Sequence, residues 1–89
     1  MALQIINAGP PPEEIAGRIH TAIVEAMPDA TIEVTPRGTG HFEIRVTDAS
    51  FEGLSRVKQQ QTVYAAITEL MAGPNAPVHA IDRLECLVP

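Results

Sequence analysis

The sequence has few cysteines, aromatic residues and basic residues, and each shortage excludes a class of protein. Its single cysteine, Cys86, cannot form an internal disulfide, which favours a reducing compartment and predicts a cytoplasmic protein. Two Phe, one Tyr and no Trp leave no obvious stacking platform for single-stranded nucleic acid. Six basic residues against eleven acidic ones give a net charge of −5, which argues against a protein that coats nucleic acid through charge alone.

Long apolar runs are also missing. No run approaches the roughly 18 apolar residues of a membrane-spanning helix, so we expect no membrane span. The short apolar stretch near the start has no basic flank, which argues against a secretory signal. The chain has 89 residues, 45% of them hydrophobic, which is enough for one small domain with a single core. We expect a flexible N-terminal arm over residues 1–12 and one folded domain over residues 13–89.

Apolar residues repeat with helical spacing after a cluster of prolines near the N-terminus. Ile15, Ile19 and Ile23 mark one face of a helix. Because Pro28 disfavours helical geometry at the residue before it, this helix should end near Met27.

Two stretches that follow alternate between polar and apolar residues, as half-buried strands do. They cover residues 31–35 and residues 41–47. Residues 36–40 are rich in turn formers, so we expect an antiparallel hairpin. One face of each strand then stays in water, and a helix layer covers the other.

A second helical stripe and a last strand complete the pattern. The stripe covers residues 55–72, and we expect a kink near residues 55–60, which are polar on most sides, or a split there into two helices. The last strand covers residues 78–88, and its alternation slips, which indicates an interior strand or a bulge.

The predicted order of elements is α-β-β-α-β. A strand that returns to the same sheet after a helix normally lies parallel to its neighbour. We therefore predict a two-layer α+β sandwich, in which a three-stranded mixed sheet carries helices on one face. An exposed edge of such a sheet also makes a weak homodimer an expected property.

The chain has little that indicates an enzyme. It contains no glycine-rich phosphate loop, no paired-cysteine motif and no zinc-protease motif. No serine lies in the strained turn that a hydrolase nucleophile needs. We therefore expect a binding protein that performs no catalysis.

Two histidines lie where strands are predicted to begin. His41 and His79 alternate with core residues, so both should point away from the core. If their strands are neighbours, the two rings approach each other. Two ligands do not complete a four-coordinate metal site, so a metal would need ligands from another molecule. The alternative is that both are surface histidines that bind nothing, as His20 on the flank of the first helix is expected to be.

Other polar residues give weaker signals. Cys86 shares the apolar face of the last strand, which favours a small buried hydrophobic residue over a metal ligand. Arg37, Arg45, Arg56 and Lys58 are either a weak basic patch or ordinary solvated side chains, and the acidic composition favours the second interpretation.

Three segments resemble one known family. The run Phe51–Tyr64, FEGLSRVKQQQTVY, resembles the signature of the BolA family in its short YrbA/IbaG-like branch. Val78-His79-Ala80 resembles the His-Ala start of that family's last strand, and Gly40-His41-Phe42 resembles its entry to the second strand. The resemblance implies an α-β-β-α-α-β arrangement related to the class II KH fold.

The resemblance also implies an adaptor. BolA-like proteins pair with monothiol glutaredoxins and share a bridged [2Fe–2S] cluster, which serves cluster assembly, trafficking or sensing. The glutaredoxin cysteine and glutathione supply thiolates, and the BolA-like chain supplies one or two histidines. The matching positions here are His79, the principal ligand, and His41, the loop ligand. The isolated chain is expected to hold no cluster.

A second role implied by the family is that of a DNA-binding transcriptional regulator in stress or morphology responses. Its candidate contacts are Arg56 and Lys58. Longer BolA proteins carry an Arg-His-Arg-like segment where this chain has Lys58-Gln59-Gln60, which makes DNA the weaker partner. The family's usual Thr-Pro-x-x-Trp tail is also replaced, by Leu87-Val88-Pro89.

Overall fold

The first helix, α1, spans Pro12–Ala26 in a computed structural model that describes residues 10–89. Pro12 occupies the first turn, where the missing amide hydrogen costs no hydrogen bond. The amide of Met27, the residue after the helix, donates to the Ile23 carbonyl, so the predicted end is confirmed. Residues 1–9 of the predicted arm lie outside the described residues. Helix α1 begins at Pro12, which is the last residue of the predicted arm.

The predicted hairpin is confirmed. Strand β1 spans Thr31–Pro36 and strand β2 spans His41–Thr47, and the two pair antiparallel from Thr31 opposite Thr47 to Pro36 opposite Phe42. The connecting loop contains two glycines with positive φ, which close the turn without strain. On β2 the alternate residues Phe42, Ile44 and Val46 are all buried.

A short 3₁₀ turn, Ala49–Phe51, leads to the second helical region. Helix α2 spans Arg56–Ala66, and a single turn of helix, α3, spans Thr68–Met71. The expected division of this helical region in two is confirmed, but its predicted position near residues 55–60 is wrong, because the Ser55 hydroxyl accepts the Lys58 amide and α2 then continues without a break.

The break lies at Ile67 instead. Its amide donates to the Tyr64 carbonyl three residues back, and the Thr68 hydroxyl donates to the same carbonyl. Ile67 is 1% exposed, so the break keeps an apolar side chain in the core while it redirects the chain.

The last strand, β3, spans Ala80–Leu87 and pairs parallel with β2, which gives the sheet order β1-β2-β3. The register shifts between Phe42 and Glu43, because Asp82 is an extra residue on β3. The predicted bulge is therefore correct, whereas the alternative of an interior strand is wrong.

The helices pack on one face of this mixed sheet, as predicted. Buried residues of α1, β2 and α2 form a single core cluster: Ile15, Ile19, Ile23, Phe42, Ile44, Val46 and Val63. Cys86 is half-buried at the margin of this cluster, and burial raises the pKa of its thiol. Cys86 therefore packs against the core, as predicted, but it is only partly buried. No helix within residues 10–89 is long and apolar enough to cross a membrane. The relation to the class II KH fold stays a prediction.

The central strand should dominate the stability of the domain. Because Phe42 is fully buried on β2, Phe42→Ala leaves a cavity and should lower the free energy of unfolding by about 3–5 kcal/mol. Urea denaturation measures this change as a lower midpoint at an unchanged slope. His20→Ala, at an exposed position on α1, is the control and should change stability by less than about 0.5 kcal/mol. Equal midpoints for the two variants would contradict this description of the core.

Candidate functional site

Parallel pairing of β2 and β3 brings the two candidate histidines to one end of the sheet. His41 is the first residue of β2 and lies opposite Ala80, the first residue of β3. His79 immediately precedes β3. The amides of His79 and Ala80 both donate to the Gly40 carbonyl, at 2.8 and 3.1 Å. The two histidines thus lie at the starts of neighbouring strands, which was the condition set for their approach, and their role as metal ligands stays a prediction.

Gly40 sets the position of the His79 ring. It is buried and has φ +78°, a conformation that side-chain-bearing residues rarely adopt. A Cβ atom at this position would lie 2.6 Å from Nδ1 and 2.7 Å from Cγ of His79. The imidazole therefore packs directly on the glycine backbone, and any side chain at position 40 would displace it.

The exposed His79 ring borders a groove of about 340 Å³. Ile15 of α1 and Phe42 of β2 form part of its wall, together with Pro77 and the prolines that precede α1. Since Phe42 faces the helices, His79 lies at the helix-covered side of the sheet end. A partner can reach the ring from solvent across a mainly apolar surface.

His41 has a different environment on the open face of the sheet. Its Nδ1 lies 2.9 Å from Oδ1 of Asp82, and both side chains are nearly half exposed. A carboxylate can only accept a hydrogen bond, so Nδ1 of His41 donates and a neutral ring keeps Nε2 free. Carboxylates orient metal-binding imidazoles in this way in many metalloproteins.

Sequence reasoning missed Asp82. Counted back from the core-facing Leu84 and Cys86, regular alternation would direct its side chain toward the core, and the bulge in β3 changes this direction. The irregular alternation in residues 78–88 was the available signal. It indicated that a bulge was present without indicating which side chain the bulge would redirect.

The two histidines therefore share a backbone junction while their rings occupy separate surroundings. His41 is held by Asp82 on the open face, and His79 borders the groove beside Ile15 and Phe42. Both histidines are exposed, and His41 is the one whose ring is held by a carboxylate.

The described residues do not supply a complete metal site. Among residues 10–89, no group of three or more His, Cys, Asp or Glu side chains could hold a metal ion. Cys86 pairs with Val46 toward the other end of the parallel strands, away from both histidines. The imidazoles fit part of a ligand set, and another molecule would have to supply the rest.

The four candidate basic residues do not form one patch. Arg45 lies between Glu33 and Glu85, at 3.6 and 2.9 Å, and Arg37 contacts Glu43 at 3.3 Å. The hydrogen bond between Arg45 and Glu85 raises the pKa of the guanidinium and lowers the pKa of the carboxyl group. These ion pairs confirm that Arg37 and Arg45 are ordinary solvated side chains.

The other two basic residues, Arg56 and Lys58, are exposed in the first turn of α2. No acidic residue lies in that turn, so both cations stand at the positive end of the helix dipole. This local excess of positive charge favours an anionic partner.

Comparison with known proteins identifies relatives over most of the chain. A family model described as BolA-like protein matches residues 17–87. BolA-like protein 1 of Bos taurus is 42% identical over 76 residues, which cover 75% of this chain and 54% of the bovine protein. The acid stress protein IbaG of Escherichia coli strain K12 is 33% identical over 64 residues, covering 72% of this chain and 73% of IbaG.

A solved structure agrees with the fold. The solution structure of BolA1 from Mus musculus has a TM-score of 0.74 and 25% identity, over 98% of this chain and 76% of the mouse chain. The chain spans only about half the length of the bovine relative. The family match includes the signature run at residues 51–64 as well as both histidines. The chain belongs to the BolA family.

Proposed function

We propose that this chain is an adaptor that pairs with a monothiol glutaredoxin and contributes histidine ligands to a bridged [2Fe–2S] cluster. The cluster is cargo that is assembled, transferred or sensed by the pair. The glutaredoxin cysteine and glutathione provide the thiolates. The observation that carries this proposal is the exposed His79 ring, packed on Gly40 at the end of the sheet.

His79 is the principal ligand in this proposal. Its ring is exposed to solvent and packs against the backbone of Gly40. A contact that restrains the imidazole lowers the conformational entropy lost when it binds a metal, which favours coordination. Imidazole in place of thiolate raises the reduction potential of a [2Fe–2S] cluster, as in Rieske centres.

The surroundings of His79 also suit a protein partner. The groove beside the ring is lined by Ile15, Phe42 and several prolines, so a partner that reaches the histidine would also bury apolar surface. Contacts of this kind would hold the partner's thiolates next to the ring, so the cluster ligands of both proteins meet at one place.

His41 is the second ligand, and Asp82 is its positioning residue. The hydrogen bond from Nδ1 to Asp82 leaves Nε2 for a metal, and it restrains the ring on the open face. Since His79 is the principal ligand, we assign His41 the smaller share of cluster stability.

Replacement of His79 should abolish cluster sharing. His79→Ala removes the accessible imidazole while leaving the buried core intact, so the fold should persist. Titration of wild-type protein into a glutaredoxin that carries its glutathione-ligated cluster should change the visible absorption and circular dichroism spectra. The variant should leave both spectra unchanged. His20→Ala, a histidine on the exposed side of α1, is the matched control, and a wild-type response from His79→Ala would refute the assignment.

Loss of His41 should shorten the lifetime of the cluster without preventing its assembly. We expect the shared cluster to decay up to about tenfold faster with His41→Ala, because the second imidazole is lost. Asp82→Ala should accelerate decay less, and it should have no additional effect in the His41→Ala background. Decay of visible absorbance under anaerobic chelator challenge measures these rates. Additive effects of the two substitutions would show that Asp82 does not act through His41.

DNA binding is the alternative function, and the two cations of α2 are the observation that favours it. Arg56 and Lys58 stand at a helix N-terminus, where the dipole also attracts phosphate. If the chain binds DNA, Arg56→Ala combined with Lys58→Ala should remove a salt-dependent gel shift that His79→Ala leaves intact. Arg18→Ala is the control, because Arg18 lies on α1 and pairs with Glu14. A gel shift that survives loss of both cations would exclude this surface.

A further inference from the structure

The outer edge of β3 is a feature of the fold that the histidine site does not use. β3 is the last strand of the sheet, and no strand within residues 10–89 lies on its outer side. The Leu87 carbonyl accepts the Asp48 amide, so Leu87 directs its backbone groups toward β2. Backbone groups of a strand point alternately to its two neighbours. Glu85 therefore also faces β2, whereas Leu84 and Cys86 direct their backbone groups outward.

The ends of this edge are closed to pairing, while its centre is open. The bulge at Asp82 interrupts the strand on one side, and Pro89 has no amide hydrogen on the other. Residues 83–88 contain no proline and no lysine, the residues that commonly prevent another strand from pairing with an exposed edge. Leu87 and Val88 are 41% and 45% exposed at this end of the strand.

We propose that two copies of this chain associate edge to edge through antiparallel β3 strands, with a two-fold axis at Leu84. The outward backbone groups of Leu84 would then pair with those of the partner's Leu84, and the ladder would end before the bulge at Asp82. Together the two three-stranded sheets would form one continuous sheet with all helices on the same face.

Charge complementarity selects this register. With the axis at Leu84, Arg83 lies opposite the partner's Glu85, and symmetry repeats the pair. Opposed residues of this kind are non-hydrogen-bonded neighbours, whose side chains approach most closely. Arg83 and Glu85 already share the open face, since their side chains meet at 3.0 Å within one chain.

Every neighbouring register is less favourable. An axis at Arg83 or at Glu85 places like charges directly opposite each other. An axis at Cys86 places Glu85 opposite the apolar Leu87. The register at Leu84 is the one that opposes unlike charges on the open face.

The helix-covered side of the edge has room for the second copy. A groove of about 460 Å³ runs between α2 and β3, with Gln59 and Gln60 on the helix and Leu84 and Cys86 on the strand. In the proposed pair, the partner's Leu84 would enter this space beside Leu84. The ladder is short, so we expect a weak dimer in rapid exchange with monomer.

Charge reversal tests the interface. Arg83→Glu or Glu85→Arg alone places like charges opposite each other twice per dimer, and each should weaken association at least about tenfold. An equimolar mixture of the two variants restores opposite charges at both positions, so it should form a heterodimer as strong as the wild-type dimer. Analytical ultracentrifugation measures the dimer dissociation constant of each variant and of the mixture against that of the wild-type protein. Circular dichroism verifies the fold of each variant.

Disulfide formation tests the register. Leu84→Cys in a Cys86→Ser background places two cysteines directly opposite each other, at a Cα separation of about 5.5 Å, which a disulfide can span. This variant should cross-link on mild oxidation. Wild-type protein should not, because four residues along the strand separate Cys86 from the partner's Cys86 by roughly 13 Å.

The remaining outcomes would overturn the proposal. Cross-linking through wild-type Cys86 would place the axis at Cys86. A wild-type protein that stays monomeric at millimolar concentration, or a mixture of variants that fails to associate, would exclude the edge-to-edge dimer.

His79→Ala should leave the dimer unchanged, since His79 precedes β3 and lies outside the paired stretch. Failure of the iron–sulfur proposal is thus separate from failure of this one.

Discussion

The pairing of β2 with β3 at Gly40 is the interaction on which the histidine site depends. One carbonyl accepts the amides of both His79 and Ala80, so the start of the last strand is fixed against the start of the central strand. The absence of a side chain at Gly40 then lets the His79 ring rest on the backbone. The same hydrogen bonds therefore set the parallel register, the position of His41 and the exposure of His79.

The bulge at Asp82 adds a second constraint to the same strand. It turns a carboxylate onto the open face, where it holds His41, and it ends the regular part of the free edge. The inserted residue Asp82 thus does two things: it holds His41, and it limits the length of the β3 edge with which a second copy of the chain could pair. The cluster proposal and the dimer proposal use opposite sides of this bulge, so both can hold in one molecule.

Local patterns predicted most of the fold, because burial on one face imposes a period on the sequence. The alternation of Phe42, Ile44 and Val46 indicated the central strand, and the isoleucines of α1 indicated the first helix. The break at Ile67 was placed wrongly, since it depends on hydrogen bonds at Tyr64 that leave no periodic signal. Similarly, the pattern placed both histidines at the starts of strands. It did not predict the surroundings of their rings, because these depend on the contact of His79 with Gly40 and on the hydrogen bond of His41 to Asp82.

The central claim is that an imidazole of this chain coordinates iron in a complex with a monothiol glutaredoxin. Pulsed electron paramagnetic resonance of the reduced complex, prepared with ¹⁵N-histidine in this chain alone, tests it most directly. The account predicts a strong hyperfine coupling from a directly bound histidine nitrogen, which disappears with His79→Ala. A reduced cluster in the wild-type complex without any strongly coupled ¹⁵N nucleus would contradict it.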